Sequence, residues 1–416
     1  MPSLKNLSTQ PRARAPHPEQ RLPILTAARN AKMARSAHAY VRGNTARFYD
    51  WLDSVERVAL PEGPTIWICG DCHIGNLGPV ADVQGELAIE IRDFDQTVVG
   101  NPAHDLVRLG LSLASAARGS DLPGVVTARM IEQLSLGYTD AFAPHKVARP
   151  LVKPLTVVQA MRDARRRTWQ HLARERIEGA TRAIPLGKRF WPVSEAERAS
   201  IERLAQGDAV RHLVTQLSHR DDAAEVRMLD AAYWMKGCSS LGRLRYAVLM
   251  DVGRNTAKGR DFCLLDIKEA ITAVAPHDRE ADLMPDDNAQ RVVQGAKAMS
   301  PFLGSRMHAD RVLRRSVFVR ELLPQDLKLE FEQLSVEEAT TAAYYLARVV
   351  GASHARQMDA ATRKAWRKEL LASHSKVIDA PPWLWTSVVD LVASHEKGYL
   401  DHCRRHALSP QPLALD

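Results

Sequence analysis

Apolar residues recur along this chain in two periods, and the switch between them divides it into helical and extended stretches. Over 21–57 they fall at helical spacing in an Ala-rich setting, which predicts helix. The polar, Pro- and Arg-rich leader at 1–20 reads as disordered. TIWIC at 65–69 and LAIEI at 87–91 are short, apolar and β-prone; with Gly85 between them they predict a two-stranded hairpin. Buried helix is predicted over 105–114 and further helices over 127–143 and 157–178, punctuated by Pro102, Pro123, Pro144, Pro150 and Pro154. Near residue 228 the pattern changes to strand (231–236), glycine turn (237–242), strand (243–250) and strand (262–270). A helix over 287–299, a strand over 317–323 and amphipathic helices over 335–357 and 383–407 complete the pattern, with no internal repeat.

Composition narrows the class without naming a function. A chain of 416 residues, 45% hydrophobic and 25% charged, is an ordinary soluble globular composition with room for two cores. No apolar run is long enough to span a bilayer, so no membrane partner is expected. The net charge of +8 suits an anionic ligand, although such an excess also occurs without one. No zinc finger, RNA-recognition signature or aromatic-basic interleaving points to nucleic acid. Five cysteines, of which Cys238, Cys263 and Cys403 are scattered, suggest reduced thiols and a cytoplasmic location. Cys69-Gly70-Asp71-Cys72-His73 matches the C-x-x-C-H haem-attachment pattern, but the N-terminus lacks the apolar segment of an export signal, and no second Cys/His pair supports zinc.

The stretch GDCHIGNLG…IEIRDFDQT carries the chemistry. Asp71 follows one predicted strand, Asn76 lies five residues on, and Asp93 follows the next strand. Phosphoryl transfer needs a carboxylate to receive a hydroxyl proton and hard oxygen ligands to hold Mg²⁺ on the phosphates. Asp71 fits the first role, and Asn76 and Asp93 the second, with Asp95 as a possible further metal ligand. The basic run Arg162, Arg165, Arg166, Arg167, Arg174 and Arg176 reads as a solvated helix face rather than a phosphate clamp.

GDCHIGNLG, RDFDQT and NPAHDLVRLGLSLA together resemble the GDxHxxNFG…NDFDE…WDLKRLAxS pattern of the DUF2252 family, from about residue 40 to the C-terminal helix. Leu77, Arg92, Gln96 and His104 depart from that pattern and leave Asp71, Asn76 and Asp93 in place. The family is grouped with protein-kinase-like and aminoglycoside-phosphotransferase-like folds. The resemblance therefore implies a two-lobed α+β fold that uses ATP and Mg²⁺. Under that implication Gly237, Ser239, Ser240 and Gly242 form the glycine loop over the phosphates, and Lys268, closing an apolar strand, holds the α/β-phosphates. The usual glutamate partner is missing from the 287–299 helix; Glu269, Glu280, Asp282 and Asp287 are candidates. Asp105, Arg108 and His73 read as braces of the catalytic loop.

The order of parts is catalytic loop, metal aspartate, glycine loop, lysine, hinge, long helix, whereas a kinase begins with the glycine loop. This predicts a circularly permuted kinase. Residues 1–20 are the leader, 21–227 carry the catalytic loop, 228–325 form the nucleotide-binding part, and 326–416 the helical remainder. The expected activity is phosphate transfer from ATP to an unidentified hydroxyl, on a small molecule or a protein. AMP transfer on the same fold, and a nucleotide-binding regulator without turnover, are the alternatives.

Overall fold

The computed structural model describes residues 16–54, 60–144, 146–177, 183–238, 240–253, 261–276, 284–329, 334–372 and 379–406. Three helices occupy the region predicted as one: α1 (Pro18–Met33), α2 (Ala37–Gly43) and α3 (Thr45–Ser54). The chain restarts at α2 because the Ser36 hydroxyl accepts the Ala39 N–H and caps a new helix. Two small strand pairs follow, built from β1 (Ile66–Ile68), β2 (Leu77–Ala81), β3 (Leu87–Ile91) and β4 (Val98–Gly100). Then come α4 (Ala103–Gly119), α5 (Gly124–Asp140), α6 (Leu155–Arg166) and α7 (Trp169–Ile177). The predicted 157–178 helix is thus two helices.

Next are β5 (Phe190–Pro192), α8 (Glu195–Ala205), α9 (Asp208–Thr215), β6 (Val226–Trp234), β7 (Arg245–Val252) and β8 (Asp261–Glu269). The chain ends with α10 (Asn288–Met299), α11 (Pro301–Gly304), β9 (Met307–Val312), β10 (Arg315–Glu321), α12 (Val336–Ala355), α13 (Ala360–Ala372) and α14 (Pro382–His406).

The fold is α+β. One six-stranded antiparallel sheet runs β5-β6-β7-β8-β10-β9. Its central strands are buried on both faces, which is why β7 and β8 read as near-continuous apolar runs. Leu25 of α1 and Ile201 of α8 join the core on one face, and Leu172 and Ile177 of α7 join the core on the other. Strand β5 brings residues 190–192 into the sheet, well before the predicted start at 228.

A larger core lies among the helices. There α5 and α12 run so close that a Cβ on Gly137 would sit 2.2 Å from the Tyr344 carbonyl oxygen, so only glycine fits. That approach sets the C-terminal end of α12 beside Tyr138. Among the described residues, no helix is long and apolar enough to cross a membrane.

Candidate functional site

The loop after β1 is shaped by backbone geometry and fixed by α4. Gly70 turns with φ +73°, and a Cβ there would lie 2.0 Å from the Gln96 carbonyl oxygen. The Asp105 carboxylate accepts the N–H groups of Cys69 at 2.7 Å and Gly70 at 2.9 Å. It also meets His354 Nε2 at 3.2 Å, while His354 Nδ1 lies 2.8 Å from the Tyr138 hydroxyl. One assignment satisfies every group: Tyr138 O–H donates to Nδ1, and Nε2–H donates to Asp105. A chain of buried polar groups thus runs from α5 and α12 to the loop backbone.

Asp71 has both carboxylate oxygens engaged. Arg108 Nε donates to Oδ1 at 2.9 Å, and the Thr45 hydroxyl donates to Oδ2 at 2.8 Å. Burial raises the Asp71 carboxyl pKa, and the bonds from Arg108 and Thr45 oppose the rise without cancelling it. Asp105 and Arg108 therefore hold the loop from α4. His73 has no such bond: its Nε2 is 3.9 Å from Asp71 and its buried Nδ1 has no partner. Burial and the guanidiniums of Arg108 and Arg42 keep the His73 ring neutral.

The hairpin expected between 65–69 and 87–91 pairs differently. β3 pairs with β2, and β1 pairs with β4. A short strand of Leu, Gly, Pro, Val and Ala gives little β signal, which is why β2 is missed. The corrected pairing places the site: Asn76 directly precedes β2, Asp93 follows β3, and Arg92 N–H donates to the Asn76 carbonyl at 2.8 Å. Both residues therefore lie at one end of the β2–β3 hairpin. Asn76 Nδ2 donates to the Asp71 carbonyl at 3.0 Å, fixing the amide with Oδ1 unengaged among the described residues.

The sheet supplies the facing wall. Lys268, on β8, has Nζ 3.3 Å from both Asp93 oxygens and 2.5 Å from Asp95 Oδ2. The two carboxylates differ. Asp93 has a side chain 39% exposed and lines the cleft; burial alone would raise its pKa, but Lys268 and Arg320 hold it well below the usual range. Asp95, expected as a further metal ligand, is buried, is not among the residues lining the cleft, and is pressed upward by burial and by Asp93. It is the acidic partner of Lys268 that the sequence leaves open.

The other candidates for that role lie elsewhere. Glu269 pairs with Arg315, Asp287 caps α10, and Glu280 and Asp282 fall outside the described residues. Instead of a glutamate, α10 contributes Arg291, which donates to the carbonyls of Asp95, Thr97 and Ile271. Behind Lys268, Asp266 is fully buried and shared between Arg245 at 2.6 Å and Arg320 at 3.1 Å.

The glycine turn between β6 and β7 is only partly available to a ligand. Gly237 and Ser240 line the cleft, but the Ser240 hydroxyl donates back to the Lys236 carbonyl at 2.9 Å. Gly242 is turned to α1, where a Cβ would lie 3.0 Å from Leu22. Ser239 lies outside the described residues. Lys32 on α1 donates to the Gly237 carbonyl at 3.3 Å, so the helix tethers the turn from outside.

Between the walls is a cavity of about 490 Å³. Leu172, Trp234, Met235, Leu322 and Leu323 give it an apolar part; Asp71, Asn76, Asp93 and Lys268 lie on its polar surface. This one cleft therefore collects the acid-side residues and the lysine from distant parts of the chain. The chain matches the family described as "Uncharacterized protein conserved in bacteria (DUF2252)" over residues 21–405. It belongs to the DUF2252 family. No curated protein and no solved structure matches it.

Several cleft residues of this DUF2252 chain escape a sequence reading. The basic run on α6 and α7 divides: Arg162, Arg165, Arg166 and Arg174 are exposed, but Arg176 lines the cleft. On one continuous helix Arg176 would share a face with Arg165; the break between α6 and α7 resets the phase and turns Arg176 into the cleft. Thr45 and Lys328 reach the site through tertiary packing, with no local motif, and Arg42 stands at the start of the family resemblance without a role there.

Proposed function

We propose that this cleft binds ATP with Mg²⁺ and transfers the γ-phosphate to a hydroxyl acceptor. One observation carries the reading: Lys268 Nζ meets Asp93 across 175 positions, in a cleft that also holds Asp71 and Asn76. Phosphotransferases need this juxtaposition, because the lysine holds the α/β-phosphates and the aspartate holds the ion bridging the phosphates. The fold is read as kinase-like and two-lobed, with the sheet over the nucleotide and the helices beneath the acceptor. Its order of parts is circularly permuted. The apolar part around Trp234 and Leu322 suits a purine ring, with the segment after β10 as the hinge.

The metal-site residues fit a magnesium ion. Among the described residues no cluster of three or more His, Cys, Asp or Glu is arranged for a metal. Mg²⁺ on a nucleotide is held by one or two protein oxygens together with phosphates and water, so Asp93 and the free Asn76 Oδ1 suffice. When bound, the ion would neutralise charge on the phosphates. Asp71 orients the acceptor hydroxyl and takes its proton as the new O–P bond forms and the bond to the β-phosphate oxygen breaks, releasing ADP. Because Thr45 occupies Asp71 Oδ2, the acceptor hydroxyl must share or displace that bond. Asp95 keeps Lys268 aimed.

Incubation of the protein with Mg²⁺ and ATP labelled separately on the γ- and α-phosphates tests the proposal. Label carried from the γ-position supports it. Label carried from the α-position would replace it with nucleotidyl transfer. Binding without either transfer leaves a nucleotide-binding regulator, and no melting shift with millimolar Mg·ATP ends the nucleotide reading.

A further inference from the structure

The cleft holds more positive charge than a magnesium nucleotide requires. Ten lysines and arginines line it, against the carboxylates of Asp71, Asp93 and Asp326. Four of the ten have acidic partners: Lys268 on Asp93 and Asp95, Arg245 and Arg320 on Asp266, and Arg176 on Glu175. The other six have no carboxylate within ion-pair distance among the described residues. Mg·ATP brings roughly two net negative charges, and Lys268 already serves its phosphates.

Three of the six come together on the Asp71 side. Arg42 is in the last turn of α2, Arg92 follows β3, and Lys328 lies on the segment after β10. Arg42, Arg92 and Arg176, and with opposite sign Asp93, are the charged groups that act on Lys328. Arg42 lies over the catalytic loop: a Cβ on Gly75 would come 3.0 Å from its Cζ. Its buried Nε has no partner, and neither the Arg42 nor the Lys328 side chain makes a hydrogen bond among the described residues. Among the described residues the Arg92 side chain donates only to the Asp326 backbone carbonyl, at 2.9 Å. Asp93 and Asp326 act on these cations only from beyond ion-pair distance and offset their mutual repulsion in part, and two guanidiniums with an ammonium are the donor set that recognises an oxyanion.

We propose that Arg42, Arg92 and Lys328 form an acceptor subsite, and that the acceptor is a small alcohol already carrying a phosphate or carboxylate group. This rests on the phosphotransfer reading above. The anionic group anchors on the three cations while its hydroxyl reaches Asp71.

The test uses the full chain with its nucleotide site saturated by Mg²⁺ and the non-transferable analogue AMPPNP. Glycerol 3-phosphate, glycerate and glycerol are then titrated while the melting midpoint is followed. The expected result is a further rise of about 2 °C or more with at least one anion and none with glycerol. A response to glycerol 3-phosphate alone marks the group as phosphate, and one to glycerate alone marks it as carboxylate. The double variant R42A/K328A keeps the AMPPNP shift and loses the anion shift. K328E, a change at an exposed side chain that exchanges repulsion from Arg42, Arg92 and Arg176 for attraction, weakens the anion at least about fivefold without lowering the melting midpoint of the free protein.

An anion shift that survives in R42A/K328A overturns the subsite. So does a double variant that melts as the wild type does but loses the nucleotide shift, since the cations would then serve the nucleotide. If AMPPNP stabilises the wild type and no anion adds to it, the subsite alone falls. If AMPPNP gives no shift at all, the phosphotransfer reading falls and takes the acceptor role with it.

Discussion

The two walls of the cleft are held in opposite ways. On the helical side, the loop carrying Asp71 is fixed through its backbone: Asp105 takes two loop N–H groups, and His354 and Tyr138 back it from α12 and α5. On the sheet side, the cations are fixed through charge: Asp266 holds Arg245 and Arg320, and Asp95 holds Lys268. Asp71 itself meets only one cation, Arg108, and burial outweighs it, so its carboxyl pKa stays raised. Ion pairs fix both the position of these cations and the field they present to the cleft. A wall for proton transfer and a wall for phosphate binding would call for these two solutions in turn.

The sharpest test separates the walls by what each loses. On the proposed reading, Asp71→Asn reduces transfer by about 10²–10⁴-fold and leaves Mg·nucleotide binding near that of the wild type. Asp93→Asn weakens Mg²⁺-dependent binding itself, measured by titration calorimetry with Mg·AMPPNP. Equal loss of binding in both variants would erase the distinction between the walls.

The next test concerns stability. Asp266→Ala leaves Arg245 and Arg320 buried and uncompensated, at an expected cost of about 3–5 kcal/mol in denaturant unfolding. A loss under about 1 kcal/mol would show that the sheet wall does not depend on this carboxylate. The helical wall responds less. His354→Ala leaves Asp105 and the Tyr138 hydroxyl each short of a partner, which costs about 1–3 kcal/mol. It also loosens the Asp71 loop, so transfer falls while Mg·AMPPNP affinity holds. A variant with unchanged transfer would remove His354 from the loop's support.

These differences track what the sequence reveals. Asp71, Asn76 and Asp93 sit within 23 residues and follow apolar runs, so local pattern exposes them. The glycine turn, β8 and Lys268 are legible for the same reason: continuous apolar strands broken by Gly have few other readings. The pairing of β2 with β3 is not, because a Gly- and Pro-containing strand has weak intrinsic preference and is decided by its neighbour. The kinase pattern places the partner of Lys268 on the following helix, but Asp95 stands two residues beyond Asp93. Which of two nearby carboxylates faces a cleft depends on loop conformation, which composition does not encode. Arg42, Thr45 and Lys328 need the whole tertiary structure, since α2, α3 and the segment after β10 carry no chemical motif of their own.

The smallest expected effect isolates one hydrogen bond on the helical wall. Thr45→Val keeps the shape of a buried side chain and removes the hydroxyl that donates to Asp71 Oδ2 at 2.8 Å. The stability loss should be about 0.5–1.5 kcal/mol. The pH dependence is the more telling readout. Burial already raises the Asp71 carboxyl pKa, and the Thr45 bond opposes that rise by favouring the ionised form. Without it the pKa rises further, so more acid is present at any given pH. A general base works only when ionised, so the acidic limb of the transfer rate should move to higher pH while the alkaline limb stays in place. If Asp71 instead worked protonated, activity in the acidic range would increase. An unchanged acidic limb would mean that Asp71 does not govern the rate, and the helical wall would then position the acceptor without taking its proton.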